Sequence, residues 1–288
     1  MEKKELIEML NRDLADEHAA IIRYLAHAYQ EGEDTVIGAS LLARSREEMW
    51  HLHWLGMIIC GLGGEPDLVP GPYPYDPTSQ RTMLQSYIKY EEKLIPHYHK
   101  EADRVDDPHI KRVLHREAWE SAIHARRFQR LLDKLDPAEA RRPSGGEGEL
   151  PGGFIRNLQD EINAKYSEMW QHLLISWKSQ GQGLLGWQLM DQGMEKMKQL
   201  SLFTEAVAED GLLPEFRLLP IDRSKDPAAA IEKARADTIA AHGRHGKLHN
   251  DPEFGKHGGL MMKLDLVLKQ EAYQAEEMAD WIKKWRKS

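Results

Sequence analysis

The sequence has a single cysteine, Cys60, and no long hydrophobic run. One cysteine cannot form a disulfide within the chain and is typical of a reducing compartment, so we expect a cytoplasmic protein. The longest apolar stretch, residues 55–64, is too short and too glycine-rich to span a bilayer. The first ten residues, MEKKELIEML, contain no hydrophobic signal core. These absences predict a protein that works without a membrane.

Basic residues are also in the minority, with 39 Lys and Arg against 47 Asp and Glu and a net charge of −8 at pH 7. A protein that binds nucleic acid needs a basic excess to neutralise phosphates, so we do not expect a nucleic-acid partner. The chain is 41% hydrophobic and 30% charged, which is typical of a folded globular protein. Its 288 residues are enough for one large domain or two small ones.

Alternation of polar and apolar residues, the pattern of β-strands, is missing too. Apolar residues recur instead at the helical period of 3.6, which predicts an all-α fold. Residues 136–153 are rich in Pro, Gly and Glu and predict a linker between domains 1–135 and 154–288. The predicted helices are 3–31, 34–61, 78–104, 108–135, 154–180, 184–211, 227–242 and 256–286.

The two halves of the sequence resemble each other. REEMWHLHWLGMIICGLGGEPDL aligns without a gap with MEKMKQLSLFTEAVAEDGLLPEF. The spacing from Tyr24 to His51 is 27 residues, and so is the spacing from His172 to Gln199. REAWESAIHARRF also aligns with QEAYQAEEMADWI near the end of each half. Equal spacings across several helices indicate an internal duplication.

Carboxylates and imidazoles interrupt the apolar stripe of every helix in the first half. A buried carboxylate is very unfavourable unless it is paired or coordinated, and these stripes contain no balancing Lys or Arg. Glu and His three residues apart share a helical face, and carboxylates can bridge two ions about 3.5–4 Å apart. The pattern therefore predicts a dinuclear metal site. The interrupting residues are Glu17, Glu48, His51, Glu91, Glu117, Glu120 and His124.

The first 135 residues resemble bacterioferritin and the wider ferritin-like superfamily. The similarity lies in LADEHAAIIRYLAHA, in EEMWH and in DPHIKRVLHREAWESAIHARRF. It implies two tandem ferritin-like four-helix bundles, the first with two iron ions, or manganese. It also implies that Tyr24 is a candidate catalytic residue near the metals. The ligands implied by the resemblance are Glu17, Glu48, His51, Glu91 and His124.

The fourth helix departs from the family pattern, which has Glu three residues before the last histidine. Here that position is Ser121. A π-bulge between residues 120 and 124 would rotate Glu120 into place, and we expect Glu120 to be the sixth ligand. Without the bulge, Glu117 could reach the metals, or the site could have one carboxylate fewer.

The second half loses these ligands at the aligned positions. Lysines replace Glu17 and Glu48, and Gln199 replaces His51. Such groups do not bind a divalent cation together, so we expect no dinuclear metal there. We expect the lysine ammonium groups to take the place of the ions and to pair with remaining acids such as Glu271. The full set of replacements is Lys165, Lys196, Gln199, Gln274 and Met278, for Glu17, Glu48, His51, Glu120 and His124.

One methionine is kept in both halves, as Met49 and Met197. The resemblance to bacterioferritin implies that these two residues could bind a haem. Methionine is also a common filler of gaps between packed helices, so core packing is the competing interpretation.

The predicted function is a di-iron or di-manganese oxidoreductase of the ferroxidase or peroxidase type. Its partners would be O2 or peroxide, with Fe(II) or a small molecule as substrate, in a homo-oligomer. Two alternatives are an iron-storage or iron-handling protein like bacterioferritin, and a non-catalytic interaction protein stabilised by its metal. Glu and His ligands suit iron and manganese, and they also suit zinc.

Overall fold

The computed structural model describes residues 1–73, 79–135, 150–181, 183–224, 226–252 and 254–285. The described residues form α-helices, one short 3₁₀ helix and no β-strand, as the all-α prediction requires. None of the described helices is both long enough and apolar enough to cross a membrane. The helices are α1 (Lys3–Glu31), α2 (Val36–Gly61), α3 (Gln80–Ala102), α4 (Pro108–Lys134), α5 (Gly152–Lys178), α6 (Leu184–Glu209), α7 (Pro227–His249) and α8 (Gly258–Trp285).

Side-chain caps start several of these helices where the sequence changes from loop to helical period. Thr35 accepts a hydrogen bond from the Gly38 amide at the start of α2. Ser79 forms a capping box with Thr82 at the start of α3. Asp107 caps α4 by accepting from two amides of its first turn. Each cap satisfies amide groups that have no partner inside the helix, which is why these bounds were predictable within a few residues.

Helix α7 is longer than predicted, because it continues past residue 242 to His249. The sequence HGRHGKLH is polar and contains two glycines, so it looks like a loop. In the structure Thr238, Ala241 and His245 are all fully buried, at helical spacing. Packing of this buried stripe outweighs the low helix propensity of the glycines.

The chain divides into two compact units, Met1–Gly145 and Gly146–Ser288. In the first unit α1 packs on α2, α3 packs on α4, and α2 meets α4. In the second unit α5 packs on α6, α7 packs on α8, and further contacts join α5 to α7 and α6 to α8. The division falls in the predicted linker, residues 136–153, of which 136–149 lie outside the described residues.

Candidate metal centre in the first unit

Glu48 lies at the centre of the polar cluster of the first unit and joins its two histidines. Oε2 of Glu48 is 2.8 Å from Nδ1 of His51, and Oε1 of Glu48 is 2.8 Å from Nδ1 of His124. The two imidazole rings are nearly parallel, at 18°, with centroids 6.4 Å apart. All three side chains are at most 2% exposed. One carboxylate therefore lies between two imidazole nitrogens, each of which can bind a metal.

A second carboxylate completes each half of the cluster. Oε2 of Glu17 lies 3.2 Å from Nδ1 of His51, and Oε1 of Glu91 lies 3.3 Å from Nδ1 of His124. Donor atoms of Glu17, Glu48 and His51 are within 4.8 Å of one another, and so are those of Glu48, Glu91 and His124. The structure thus brings together, in two adjoining groups, the five ligands that the family resemblance implied.

The outer nitrogen of each histidine is held by a glutamate from the opposite helix. Nε2 of His51 donates to Oε2 of Glu120 at 2.5 Å. Nε2 of His124 donates to Oε2 of Glu47 at 2.6 Å. Glu47 and Glu120 each lie four residues before the histidine of their own helix, so the two contacts are a crossed pair. A carboxylate on the outer nitrogen fixes the orientation of the ring and makes the inner nitrogen a better ligand.

Tyrosines hold the two terminal carboxylates in the same crossed manner. The Tyr24 hydroxyl on α1 donates to Oε1 of Glu91 on α3 at 2.5 Å. The Tyr98 hydroxyl on α3 donates to Oε1 of Glu17 on α1. Tyr73, in the segment between α2 and α3, donates to the Tyr24 hydroxyl at 3.0 Å. Sequence reasoning selected Tyr24 but missed Tyr98, although each tyrosine follows a ligand glutamate by seven residues.

The predicted position of Glu120 as a metal ligand is not supported. Helix α4 is a regular α-helix over Pro108–Lys134, so the π-bulge that would turn this residue inward is absent. The carboxylate of Glu120 instead bonds to the outer nitrogen of His51 and accepts from Arg116 Nε at 2.8 Å. Glu120 therefore orients the ring of His51, a candidate ligand.

Glu117 lies one turn before Ser121, on the same buried face of α4. Its side chain is 0% exposed, and neither carboxyl oxygen has a hydrogen-bond partner among the described residues. Burial raises the pKa of Glu117 well above its ordinary value, and the nearby charges of Glu17 and Asp13 raise it further. A buried carboxyl with two unpaired oxygens beside a cluster of donor atoms is the best candidate for the sixth ligand.

The metal-free cluster must hold protons in place of cations. Burial lowers the pKa of His51 and His124, but the surrounding carboxylates outweigh it and raise both pKa values well above the ordinary value. Burial and the charge of Glu48 raise the pKa of Glu17 to about 7. The second oxygen of Glu91 is buried without a hydrogen-bond partner. The cluster has more hydrogen-bond acceptors than protons to satisfy them. Divalent cations would satisfy the remaining oxygens, so the residues present fit a dinuclear metal.

The second unit has an ion-paired core in place of this cluster. Nζ of Lys165 is 2.5 Å from Oε1 of Glu271 and 2.8 Å from Oε2 of Glu168. Nζ of Lys196 is 2.9 Å from the same oxygen of Glu168 and 3.2 Å from Oγ1 of Thr238. Both ammonium groups are fully buried. The predicted pairing of a replacement lysine with Glu271 is confirmed.

Glu271 aligns with Glu117 in the internal repeat, and Lys165 aligns with Glu17. If the two halves are a duplication, as the sequence predicts, their contact in the second unit means that the position of Glu117 faces the position of Glu17. Within the part of the chain that the structure describes, groups of three His, Cys, Asp or Glu donors within 4.8 Å of one another occur in the first unit only.

Met49 and Met197 are both partly buried, on α2 and α6 respectively. They belong to different units, and the haem remains a prediction from the resemblance.

No protein-family model matches the sequence, and no curated protein matches it either.

Proposed function

We propose that the first unit is a ferritin-like four-helix bundle with a dinuclear iron or manganese centre, and that the protein is an oxidoreductase acting with O2 or peroxide. The observation that carries the proposal is the pair of donor groups sharing Glu48. Each group combines an imidazole Nδ1 with two carboxylates, the donor set that suits iron and manganese. A dinuclear redox metal supplies electrons to a small oxidant when it is bound.

The residues around the donor groups prepare them for this task. Glu47 and Glu120 hold the two outer Nε2 protons, which leaves each Nδ1 directed at the centre. The Tyr24 hydroxyl donates a hydrogen bond to Oε1 of Glu91 and accepts one from the Tyr73 hydroxyl. A proton can therefore move between Glu91 and Tyr73 only through the Tyr24 hydroxyl. These two tyrosines form a buried path for a proton that ends at a ligand oxygen.

Burial of the centre favours a small oxidant over a bulky organic substrate. The five donor residues are between 0% and 2% exposed. Trp54 lies beside His51, with ring centroids 5.9 Å apart, and the Arg116 guanidinium covers the Trp54 ring at 4.2 Å. A centre covered in this way keeps water out, which strengthens every electrostatic interaction inside it.

For the second unit, we propose a four-helix bundle of the same kind without metal. Lys165 and Lys196 supply the positive charge that cations supply in the first unit. A buried ion-pair network of this type contributes more to a unique packing than to stability. The second unit would then have a structural role, in a small homo-oligomer within the cytoplasm.

Metal content and O2 consumption test the proposal together. Metal-free protein is given excess Fe(II) without oxygen, desalted, analysed for iron, and then exposed to O2. We expect Glu48→Gln to lose most of the iron bound by the pair of donor groups and most of the oxygen consumption. Glu92→Gln, an exposed substitution on α3, is the matched control and should behave as wild type.

Equal iron content and equal oxygen consumption in Glu48→Gln and Glu92→Gln would refute the proposal. A normal iron content in wild type without oxygen consumption would leave a structural metal and remove the oxidoreductase function. A mass of several hundred kilodaltons with mineral iron would instead favour storage.

A further inference from the structure

A second cluster of acidic and imidazole groups lies one helical turn from the dinuclear centre, on α1 and α3. It contains Asp13, His97 and Glu101, whose donor atoms lie within 4.8 Å of one another. Asp13 precedes Glu17 by four residues on the same face of α1, which is about 6 Å along the helix axis. The sequence analysis did not select any of the three residues.

The carboxylates of this cluster are buried and only partly satisfied. Asp13 is 0% exposed and Glu101 is 5% exposed. Nε2 of His97 is 3.0 Å from Oδ1 of Asp13 and 3.4 Å from Oε2 of Glu101. Oδ2 of Asp13 and Oε2 of Glu101 have no hydrogen-bond partner among the described residues. One imidazole nitrogen thus faces two carboxylates and can give a proton to only one of them.

At the other end of the same unit, the two residues equivalent to Asp13 and Glu101 form a hydrogen-bonded pair. Glu17 on α1 corresponds to Glu91 on α3, and Tyr24 corresponds to Tyr98. In both cases the α3 residue follows its α1 equivalent by 74 residues. By that relation, Asp13 and Glu101 correspond to Tyr87 and His27. Tyr87 and His27 are hydrogen-bonded to each other. Two charged carboxylates in the equivalent places repel each other unless a proton or a cation lies between them.

His97 connects this cluster to solvent. Its side chain is 36% exposed, whereas Asp13 is fully covered. Arg12 is the neighbouring guanidinium, and it is exposed and acts on both carboxylates through its charge alone. The cluster therefore has two buried oxygen donors and one nitrogen donor at its outer edge, and no ammonium or guanidinium group of the described residues is paired with it.

We propose that Asp13, His97 and Glu101 bind one divalent cation, at a mononuclear site separate from the dinuclear centre. Two carboxylates and one imidazole are a donor set for Mn²⁺, Fe²⁺ or Zn²⁺, with room for water on the exposed side. The charges of Asp13 and Glu17 both raise the pKa of the buried Glu117 carboxyl. Because the side chain of His97 is 36% exposed, a cation coming from solvent can reach this site.

Co(II) is a suitable probe, because it substitutes for these ions and its visible absorption reports its ligands. Metal-free full-length protein is titrated with Co(II), and bound cobalt is counted by equilibrium dialysis. We expect Asp13→Asn/Glu101→Gln to bind one ion per chain fewer than wild type and to lose one component of the absorption. His97→Gln, at the exposed edge, should weaken the same ion at least tenfold, and Glu92→Gln should leave it unchanged.

A purely structural cluster gives the opposite results. If a protonated His97 simply holds the two acids together, Asp13→Asn/Glu101→Gln lowers the melting temperature of the metal-free protein and binds as much cobalt as Glu92→Gln. That outcome overturns the proposal. The proposed site predicts instead that the melting temperature of this metal-free variant rises and that its further rise on adding Co(II) becomes smaller.

The dinuclear centre is tested separately in the same titration. Glu48→Gln/His51→Gln/His124→Gln should lose two ions and keep the one bound by Asp13, His97 and Glu101. If the triple variant loses none while Asp13→Asn/Glu101→Gln loses one, the dinuclear centre fails and the mononuclear site stands. If the two sets of substitutions remove the same ion, the mononuclear site is not separate and its proposal fails.

Discussion

Glu117 and its repeat equivalent Glu271 should respond in opposite directions to the same substitution. Both carboxyls are fully buried. Glu117 has no hydrogen-bond partner for either oxygen among the described residues, whereas Glu271 pairs with Lys165 at 2.5 Å and with His245 at 3.0 Å. Methionine has nearly the same length and volume as glutamate but no polar oxygen. Glu→Met at each position therefore tests whether the buried carboxyl stabilises or destabilises the metal-free protein.

We expect Glu117→Met to stabilise the metal-free protein. Leaving a buried polar group unpaired costs about 1–3 kcal/mol, and the substitution removes that cost without creating a cavity. Glu271→Met should lower the free energy of unfolding by about 3–5 kcal/mol, because it removes one of the two carboxylates that pair with the buried Lys165 ammonium and also the acceptor for His245.

The measurement must report each unit by itself, because two units need not unfold together. Native-state hydrogen exchange at increasing urea concentration provides this, with α4 amides reporting the first unit and α8 amides the second. Glu120→Gln is the control on α4. It loses a partly buried charge-assisted bond to His51 and should lower the stability by about 0.5–1.5 kcal/mol.

Metal binding completes the comparison of Glu117 and Glu120. Both Glu117→Met and Glu120→Gln should weaken metal binding, the second by about 10–100-fold as expected for a group that orients a ligand. Only Glu117→Met should combine weaker binding with a more stable metal-free protein. If Glu117→Met destabilises the first unit by more than about 1 kcal/mol, its carboxyl has a partner and the assignment as sixth ligand is wrong.

Two further predictions concern pH and the outer partner of His124. Burial raises the folded-state pKa of Asp13 to about 7 and of Glu101 to about 8, so each contributes stability at low pH that is lost as the pH rises through those values. The stability gain of metal-free Asp13→Asn/Glu101→Gln over wild type should therefore grow from about pH 4.5 to pH 8, and a gain that shrinks over this range would contradict the pKa directions. Glu47→Gln should weaken metal binding by about 10–100-fold, because it removes the acceptor for His124 Nε2. Glu195→Gln, the equivalent change in the second unit, should leave metal binding unchanged.

Helix bounds and candidate metal ligands could be predicted from the sequence, because both depend on local patterns. The apolar period of 3.6 and caps such as Thr35 and Asp107 locate the helices within a few residues. A carboxylate or imidazole on an apolar stripe is recognisable from the sequence, because it does not depend on how the helix packs. The same logic predicted that the second half keeps its helices and loses its ligands, and there it found the pairing of Lys165 with Glu271.

The partners of those ligands depend on which helices face each other, and a helical period does not contain that information. Glu47 and Glu120 look like ordinary exposed acids along the sequence, yet each reaches across to the histidine of the opposite helix. Tyr98 was overlooked for the same reason. Glu117 and Glu120 lie on adjacent faces of α4, and only the regular geometry of that helix decided which one points inward.

The sequence alone determined that the chain is helical and that acids and imidazoles interrupt the apolar stripes of the first half, and it predicted an internal duplication. Each of these properties follows from the chemistry of neighbouring residues on one helix. Tertiary structure alone decided that Glu48 lies between two histidines and that Asp13, His97 and Glu101 form a group of their own. Both groupings join residues from different helices, and packing, not local spacing, sets the distances between them.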